Sequence, residues 1–392
     1  MDMEETLIEK SLFAFTRDFY AALLKAQDVS SPTNLFVSPT SIWIAMLMTE
    51  AGSEGATKKE MVDTLRLPPQ LPDEKVHNVT GETLMGCFQS VPGVELSLAN
   101  RLFILKTAKI RDRFTKLLQE CYKCCAEELD SLGSSEAKRV HMNEWVCENT
   151  KGKIENLLAP GTIRDDTVIT IINTLYFRGL WAQKFAKEST SEAQFHKLDG
   201  SVQTIKMMQV EHQYPYVDME DIDAKALKIP FKQDEWAMVL VLPNRNDGLP
   251  ALLEYLQIPG KIETITSENF NERDVFLFLP RFKLGEGSAV NAMEILQSLG
   301  MKSVFEAGSA DLTGLCEQPR LFVSNVLHKA ILEVDEEGAT AAASTGVAMM
   351  TRCRPRPYEK LVFRVDHPFF VAIFYNNTIP VFLGHVSVPE TF

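Results

Sequence analysis

The chain has 392 residues, 45% of them hydrophobic and 9% aromatic, enough for a large buried core and an argument against disorder. Forty Lys and Arg against 53 Asp and Glu leave a net charge of −13, which argues against nucleic acid or an anionic membrane surface as the main partner. No Gly/Ser-rich or Pro-rich stretch reads as a linker, so one domain is expected over residues 1–392.

The N-terminus carries charges where a signal peptide needs an unbroken apolar core. Its Leu12, Phe13, Phe15, Phe19, Tyr20, Leu23 and Leu24 fall at helical spacing and predict an amphipathic helix over 6–26. A cytoplasmic location is expected, with secretion through a non-cleaved signal as the alternative. The long uncharged run 29–49 holds two prolines and several hydroxyl residues and is a poor membrane span. Further helices are expected over 39–52, after a Ser-Pro start, then over 56–66 and 134–158, with a strand over 96–103. From Thr167 the pattern turns to β: runs at 167–177, 224–230, 236–242 and 274–279, with short helices near 248–257 and 288–299. The closing segment, PFFVAIFY-NNT-IPVFLGHVSV, reads as a buried hairpin around an Asn-Asn turn. Helices first and mostly antiparallel strands afterwards make an α+β chain.

Seven cysteines (Cys87, Cys121, Cys124, Cys125, Cys147, Cys316 and Cys353) form no disulfide-rich framework, which fits a reducing compartment. Cys121-x-x-Cys124-Cys125 has the spacing of half a zinc site, but no second Cys/His pair accompanies it, so structural or free thiols are expected and no metal. Sequons at Asn78 and Asn376 leave export and glycosylation open. The chain has no Gly-x-Ser-x-Gly elbow, no His-Glu-x-x-His, no phosphate-cradling loop and no dinucleotide fingerprint. It is read as a non-enzyme without cofactor; a triad assembled only in three dimensions is the enzyme alternative.

The run EEGATAAASTGVAMMTRC, 336–353, suits neither core nor tail. Taken as a strand from Ala339, its inward set is Ala339, Ala341, Ala343, Thr345, Val347 and Met349, five of them apolar, and its outward set carries no charge. Twelve uncharged residues would span roughly 40 Å when extended. A flexible linker or an alanine-rich helix are the plainer readings, the helix weakened by Ser344, Thr345, Gly346 and Val347.

Eight blocks, in order, resemble the serpins and in particular their intracellular ovalbumin-like (clade B type) group. They are NLFVSPTSI, MNEWVCENTKGKI, NTLYFRGLW, LPRFKLG, LGMKSVF, ADLTG, VLHKAILEVDEEG and DHPFFVAIF, running from Asn34 to Phe374. The resemblance implies the serpin fold, with three β-sheets, eight or nine helices and an exposed reactive-centre loop at about 336–366. It implies a monomeric suicide-substrate inhibitor that traps a serine protease as a covalent acyl complex when its cleaved loop inserts into the central sheet. By the family's count from Glu336, the scissile bond is Arg352–Cys353. Arg354 and Arg356 each precede a proline, which protects those bonds, so chemistry selects the same arginine. An arginine there suits a trypsin-like target whose pocket holds an aspartate. The hinge comprises Glu336, Glu337, Gly338, Ala339, Thr340, Ala341, Ala342 and Ala343; Ala339-Thr340 departs from the family's usual Thr-Glu but stays small. Also by resemblance, Ser38, Ser41, Asn173 and His328 form a polar cluster beneath the opening sheet. Trp181, Arg281 and Glu336 mark the point of loop entry, with a Glu336–Arg281 ion pair expected. Arg354, Arg356, Lys360 and Arg364 form either a basic exosite or an ordinary solvated loop. Cys353 carries a thiol whose oxidation would be a means of regulation. No basic helix occupies 76–95, so no glycosaminoglycan cofactor is expected. The alternative is a non-inhibitory serpin acting as chaperone, carrier or storage protein.

Overall fold

The computed structural model describes residues 3–267, 270–287, 289–318, 320–337 and 360–390. Nine α-helices occur among them: α1 (Met3–Lys25), α2 (Pro39–Glu50), α3 (Gly55–Thr64), α4 (Asp73–Cys87), α5 (Asp112–Tyr122), α6 (Ser135–Asn149), α7 (Leu249–Leu256), α8 (Lys261–Ser267) and α9 (Met293–Ser298). The described strands are β1 (Leu35–Val37), β2 (Val94–Ile104), β3 (Ala126–Glu128), β4 (Ile169–Gly179), β5 (Ser191–His196), β6 (Val202–Met219), β7 (Ala224–Pro230), β8 (Trp236–Pro243), β9 (Asn271–Pro280), β10 (Phe282–Leu284), β11 (Val290–Asn291), β12 (Val323–Val334), β13 (Leu361–Arg364), β14 (Phe369–Tyr375) and β15 (Ile379–Val386).

Two hydrogen-bonded networks result, one of nine strands and one of six. The larger divides along the long strand β6, which pairs with β5 and β9 over its first and middle residues and with β7 through Tyr216–Met219. Two of the three expected sheets are therefore joined through one continuous strand. The smaller network, ordered β10-β12-β4-β2-β3, is mixed, and β4 with β12 forms a parallel pair in its middle. β4 is buried on both faces. Ile171, Leu175 and Phe177 join the main core under α2, while Ile172 and Tyr176 pack toward α6 with Met142 and Val146. Period-2 alternation thus gives each face of β4 its own apolar set.

Local chemistry explains where the elements begin and end. Ser38 caps α2, its hydroxyl accepting from Ser41 N at 3.2 Å, and Pro39 fills the first turn. The Tyr375–Thr378 turn of the closing hairpin has Asn376 and Asn377 at φ 50° and 61°, the left-handed pair that lets two strands reverse tightly. Two helices are shorter than the sequence predicts. The 134–158 helix stops at Asn149 because Lys151 and Gly152 both take positive φ and the Thr150 hydroxyl accepts from Ile154 N at 3.1 Å. The 288–299 helix shrinks to α9, since Val290 and Asn291 pair with β12 instead. No helix among the described residues is long and apolar enough to cross a membrane.

Candidate functional site

The polar cluster expected from the resemblance assembles around Asn173. β2, β4 and β12 place Asn100, Asn173 and His328 side by side at one register. α2 supplies Ser41, and its capping residue Ser38, from below. Asn173 Oδ1 accepts from Ser41 Oγ at 2.8 Å and from His328 Nδ1, while its Nδ2 donates to Ser41 O at 3.0 Å and to Asn100 Oδ1. Ser38 N donates to His328 Nε2 at 2.9 Å, which leaves the ring proton on Nδ1, the atom facing Asn173. Ser38, Ser41, Asn173 and His328 are all fully buried, so each hydrogen bond here replaces water that cannot enter. Sequence reasoning missed Asn100; the signal was a lone amide inside the alternating strand VELSLANRLFI.

Burial pushes the His328 imidazole down to about 3 and that of His385, behind β1, down to about 4. Unfolded histidines take up a proton near pH 6.5, so between that pH and the folded values the unfolded chain binds more protons. Stability is therefore fully present above pH 6.5 and is lost as the pH falls. Each histidine should withdraw about 1–2 kcal/mol between pH 6.5 and 5, a range above most carboxylate titration. Urea unfolding across that range should show it; a flat stability from pH 6.5 to 5 would contradict both buried neutral rings.

The second constellation lies where β4 and β12 end together. Trp181, just past β4, is buried and donates from Nε1 to Asp335 O, just past β12, at 2.8 Å. Its ring stacks on Phe231 with centroids 4.7 Å apart. Arg178 pairs with Asp335, and Lys187 Nζ lies 2.6 Å from Glu337. The buried Glu336 carboxylate accepts from Thr190 Oγ1 at 2.9 Å, and its other oxygen is 3.9 Å from Arg281 Nη1. The expected Glu336–Arg281 pair is thus present but long, and Thr190 is the closer partner. Nothing in the sequence singled out Thr190, Lys187 or Arg178, because their roles exist only once distant segments meet.

Glu336 and Glu337 are the last described residues before the loop. Gly338, Ala339, Thr340, Ala341, Ala342, Ala343, Arg352, Cys353, Arg354 and Arg356 lie outside the described residues. On the distal side Lys360 Nζ is 2.6 Å from Glu211, and the Arg364 guanidinium lies 3.7 Å from the Phe278 ring centroid. Both cations are therefore already engaged within the chain. Cys121 is buried and Cys124 half-buried, with burial raising the Cys124 thiol to about 12, so it stays protonated. No group of three or more His, Cys, Asp or Glu able to hold a metal occurs among the described residues.

Comparison with known proteins places this geometry in context. The sequence model of the family described as serpin (serine protease inhibitor) matches residues 11–389. The chain is 33% identical over 393 residues to leukocyte elastase inhibitor A of Mus musculus, covering 99% of this chain and 100% of that protein. It is 34% identical to Serpin B4 of Homo sapiens over 92% of this chain and 95% of that one. Among solved structures, Serpin48 of the insect Tenebrio molitor superposes with a TM-score of 0.86 at 28% identity, with both chains fully covered.

Proposed function

The chain belongs to the serpin family and has the serpin fold, and from that membership we propose that it is an irreversible suicide-substrate inhibitor of trypsin-like serine proteases. Serpins are protease inhibitors rather than catalysts, and this chain has relatives of the ovalbumin-like clade B type, some named as inhibitors. In the proposed mechanism the target cleaves Arg352–Cys353, and the freed segment enters between β4 and β12 while still acylated to the protease serine. The whole chain acts as one monomeric unit, consistent with a family match spanning 11–389.

The observation that carries this reading is the joint at the top of the β4–β12 seam. Trp181 and Asp335 tie the two strand ends together, so Glu337, the last described residue on that side, follows directly on the end of the seam that a cleaved segment would enter. The segment from Ala339 to Met350 is uncharged and has the alternation that a central strand requires. Asn173 and His328 couple the two strands lower down and set the resistance to their parting. With Lys360 and Arg364 engaged by Glu211 and Phe278, the selecting charge of a basic exosite falls mainly to Arg354 and Arg356. Within α4, the helix nearest the 76–95 region, Lys75 is the single Lys or Arg, which supports inhibition without a glycosaminoglycan.

Incubation with trypsin should give a one-to-one complex that survives SDS, together with a released peptide whose first residue is Cys353. Cleavage at Arg352 with full turnover and no complex would overturn the inhibitor reading; no reaction with any trypsin-like protease would overturn the specificity.

A further inference from the structure

A strand can enter between β4 and β12 only if every bond across their seam gives way. The ladder ends at Leu332 beside Phe177, and the same register sets Arg178 opposite Glu333. The Arg178 guanidinium nevertheless reaches one step further. Its Nη2 donates to Asp335 Oδ2, whereas Nε is 3.9 Å from Glu333, too long for a hydrogen bond. Lys153, after α6, is likewise 3.9 Å from Glu333. Glu333 is closer to Lys283 of β10, at 3.4 Å, and β10 pairs with β12 and would move with it. Lys187 and Glu337 also meet across the joint, but the Lys187 side chain is 63% exposed, and water weakens such pairs. The side chains of Arg178 and Asp335 are only 18% and 11% exposed, so theirs is the better shielded ion pair across the seam.

The pair stands at the end where entry starts: Asp335 follows β12 directly, and Arg178 is the last residue but one of β4. Adjacent strands lie ~4.8 Å apart, so a strand entering there would carry Asp335 about that much further from Arg178. A hydrogen bond that tolerates only ~3.2 Å cannot survive the step. The first loop residues, Ala339 and Thr340, bring no carboxylate to replace it. Arg178 would then be left half-buried without its closest counter-charge, which costs more than losing a surface pair. Trp181 Nε1 also crosses the seam, but to the backbone oxygen of Asp335, a tie that no change at the Asp335 side chain removes.

We propose that Arg178 is a positioning residue that holds the upper end of the β4–β12 seam shut through Asp335, and so sets the rate at which a strand enters. That the entering strand is the chain's own cleaved loop rests on the inhibitor reading; the closure of the seam does not.

A free peptide with the sequence of residues 339–350, ATAAASTGVAMM, labelled at its N-terminus, tests this on the full chain. Uptake is followed by fluorescence anisotropy and by the mass of the one-to-one product. Arg178→Met should take up the peptide at least tenfold faster than wild type, as expected for loss of a charge-assisted hydrogen bond. Arg178→Lys keeps the charge and should fall between the two. Asp335→Asn leaves one oxygen for Glu337 N, 3.1 Å away, but turns an amide N–H toward the guanidinium. It should match Arg178→Met, and the double variant should be no faster than either, since both remove one shared contact. His367→Ala breaks a 2.7 Å bond to Pro243 O in the nine-strand network and should lower unfolding stability without changing uptake. If Arg178→Met does not fold, judged by circular dichroism, Arg178→Lys and Asp335→Asn carry the test. Three results would overturn the proposal: folded variants that take up the peptide no faster than wild type, including no uptake by any; effects that add in the double variant; or equal acceleration by His367→Ala, which would mean general loosening. No protease enters the measurement, so its failure leaves the inhibitor reading standing, and cleavage at Arg352 without a complex leaves the uptake result intact.

Discussion

Arg352→Ala should lower the rate of association with trypsin by on the order of 10⁴, because a site built to bind a charged, hydrogen-bonding group rejects a substrate lacking it by about that factor. The arginine is proposed to offer a bidentate, charge-assisted contact to an aspartate at the bottom of the target's pocket. Alanine leaves that aspartate desolvated and unpaired. Neither Arg354 nor Arg356 can take over, since Pro355 and Pro357 come directly after them and hinder cleavage at either bond. Arg352→Lys keeps the charge but loses the fork and should fall between the two. Progress curves of trypsin inhibition give the rate directly, and an alanine variant inhibiting as fast as wild type would show that the bait bond lies elsewhere. Unfolding should be unchanged, which separates this loss from a folding defect.

Asn173→Ala should destabilise the native state by about 3–6 kcal/mol, near half the total stability of an ordinary domain. The side chain is the hub of four hydrogen bonds to three residues. Removing it strands the His328 Nδ1 proton and Asn100 Oδ1 at once, in a place where water cannot reach, while Ser41 Oγ keeps Ser38 O at 3.0 Å. Each unpaired group costs ~1–3 kcal/mol, and members of one network do not add simply, so the sum is a range. By contrast Asn143→Ala, which breaks a reciprocal pair with the Leu158 backbone at 2.8 and 3.0 Å, should cost only ~1–3 kcal/mol. Urea or thermal unfolding of the two variants compares them; a loss below about 1 kcal/mol for Asn173→Ala would mean that the cluster is not a connected unit.

How far the sequence could be read depended on the range of the forces involved. Features fixed by local chemistry were legible: the Ser38-Pro39 helix start, the Asn376-Asn377 turn, and β7, β8 and β9 within a residue or a few of the predicted runs. α4 was not legible, because Asn78, Thr80, Gly81 and Gly86 give it weak helical propensity. Packing holds it instead: a Cβ at Gly81 would stand 2.6 Å from Cys121 O, so α5 lies directly against it. The site divides in the same way. Ser38, Ser41, Asn173 and His328 came from the resemblance, and the strands bring them together. Asn100 showed in the sequence only as a lone amide in an alternating strand; its place beside Asn173 came from the register of β2 on β4, and Thr190 came from the return of the chain past Glu336.

The parallel pairing of β4 with β12 also has an energetic meaning. Parallel ladders have slanted hydrogen bonds and are slightly less stable per residue than antiparallel ones. A segment that turns back at Gly338 runs opposite to β12, and therefore opposite to β4 as well. Its arrival would exchange one parallel ladder for two antiparallel ladders, so the number of backbone hydrogen bonds rises while the poorest geometry in the middle of the sheet disappears. Under the proposed mechanism, part of the free energy that would carry a trapped protease across the molecule is held in strand direction, written into the order in which the chain visits its own sheet.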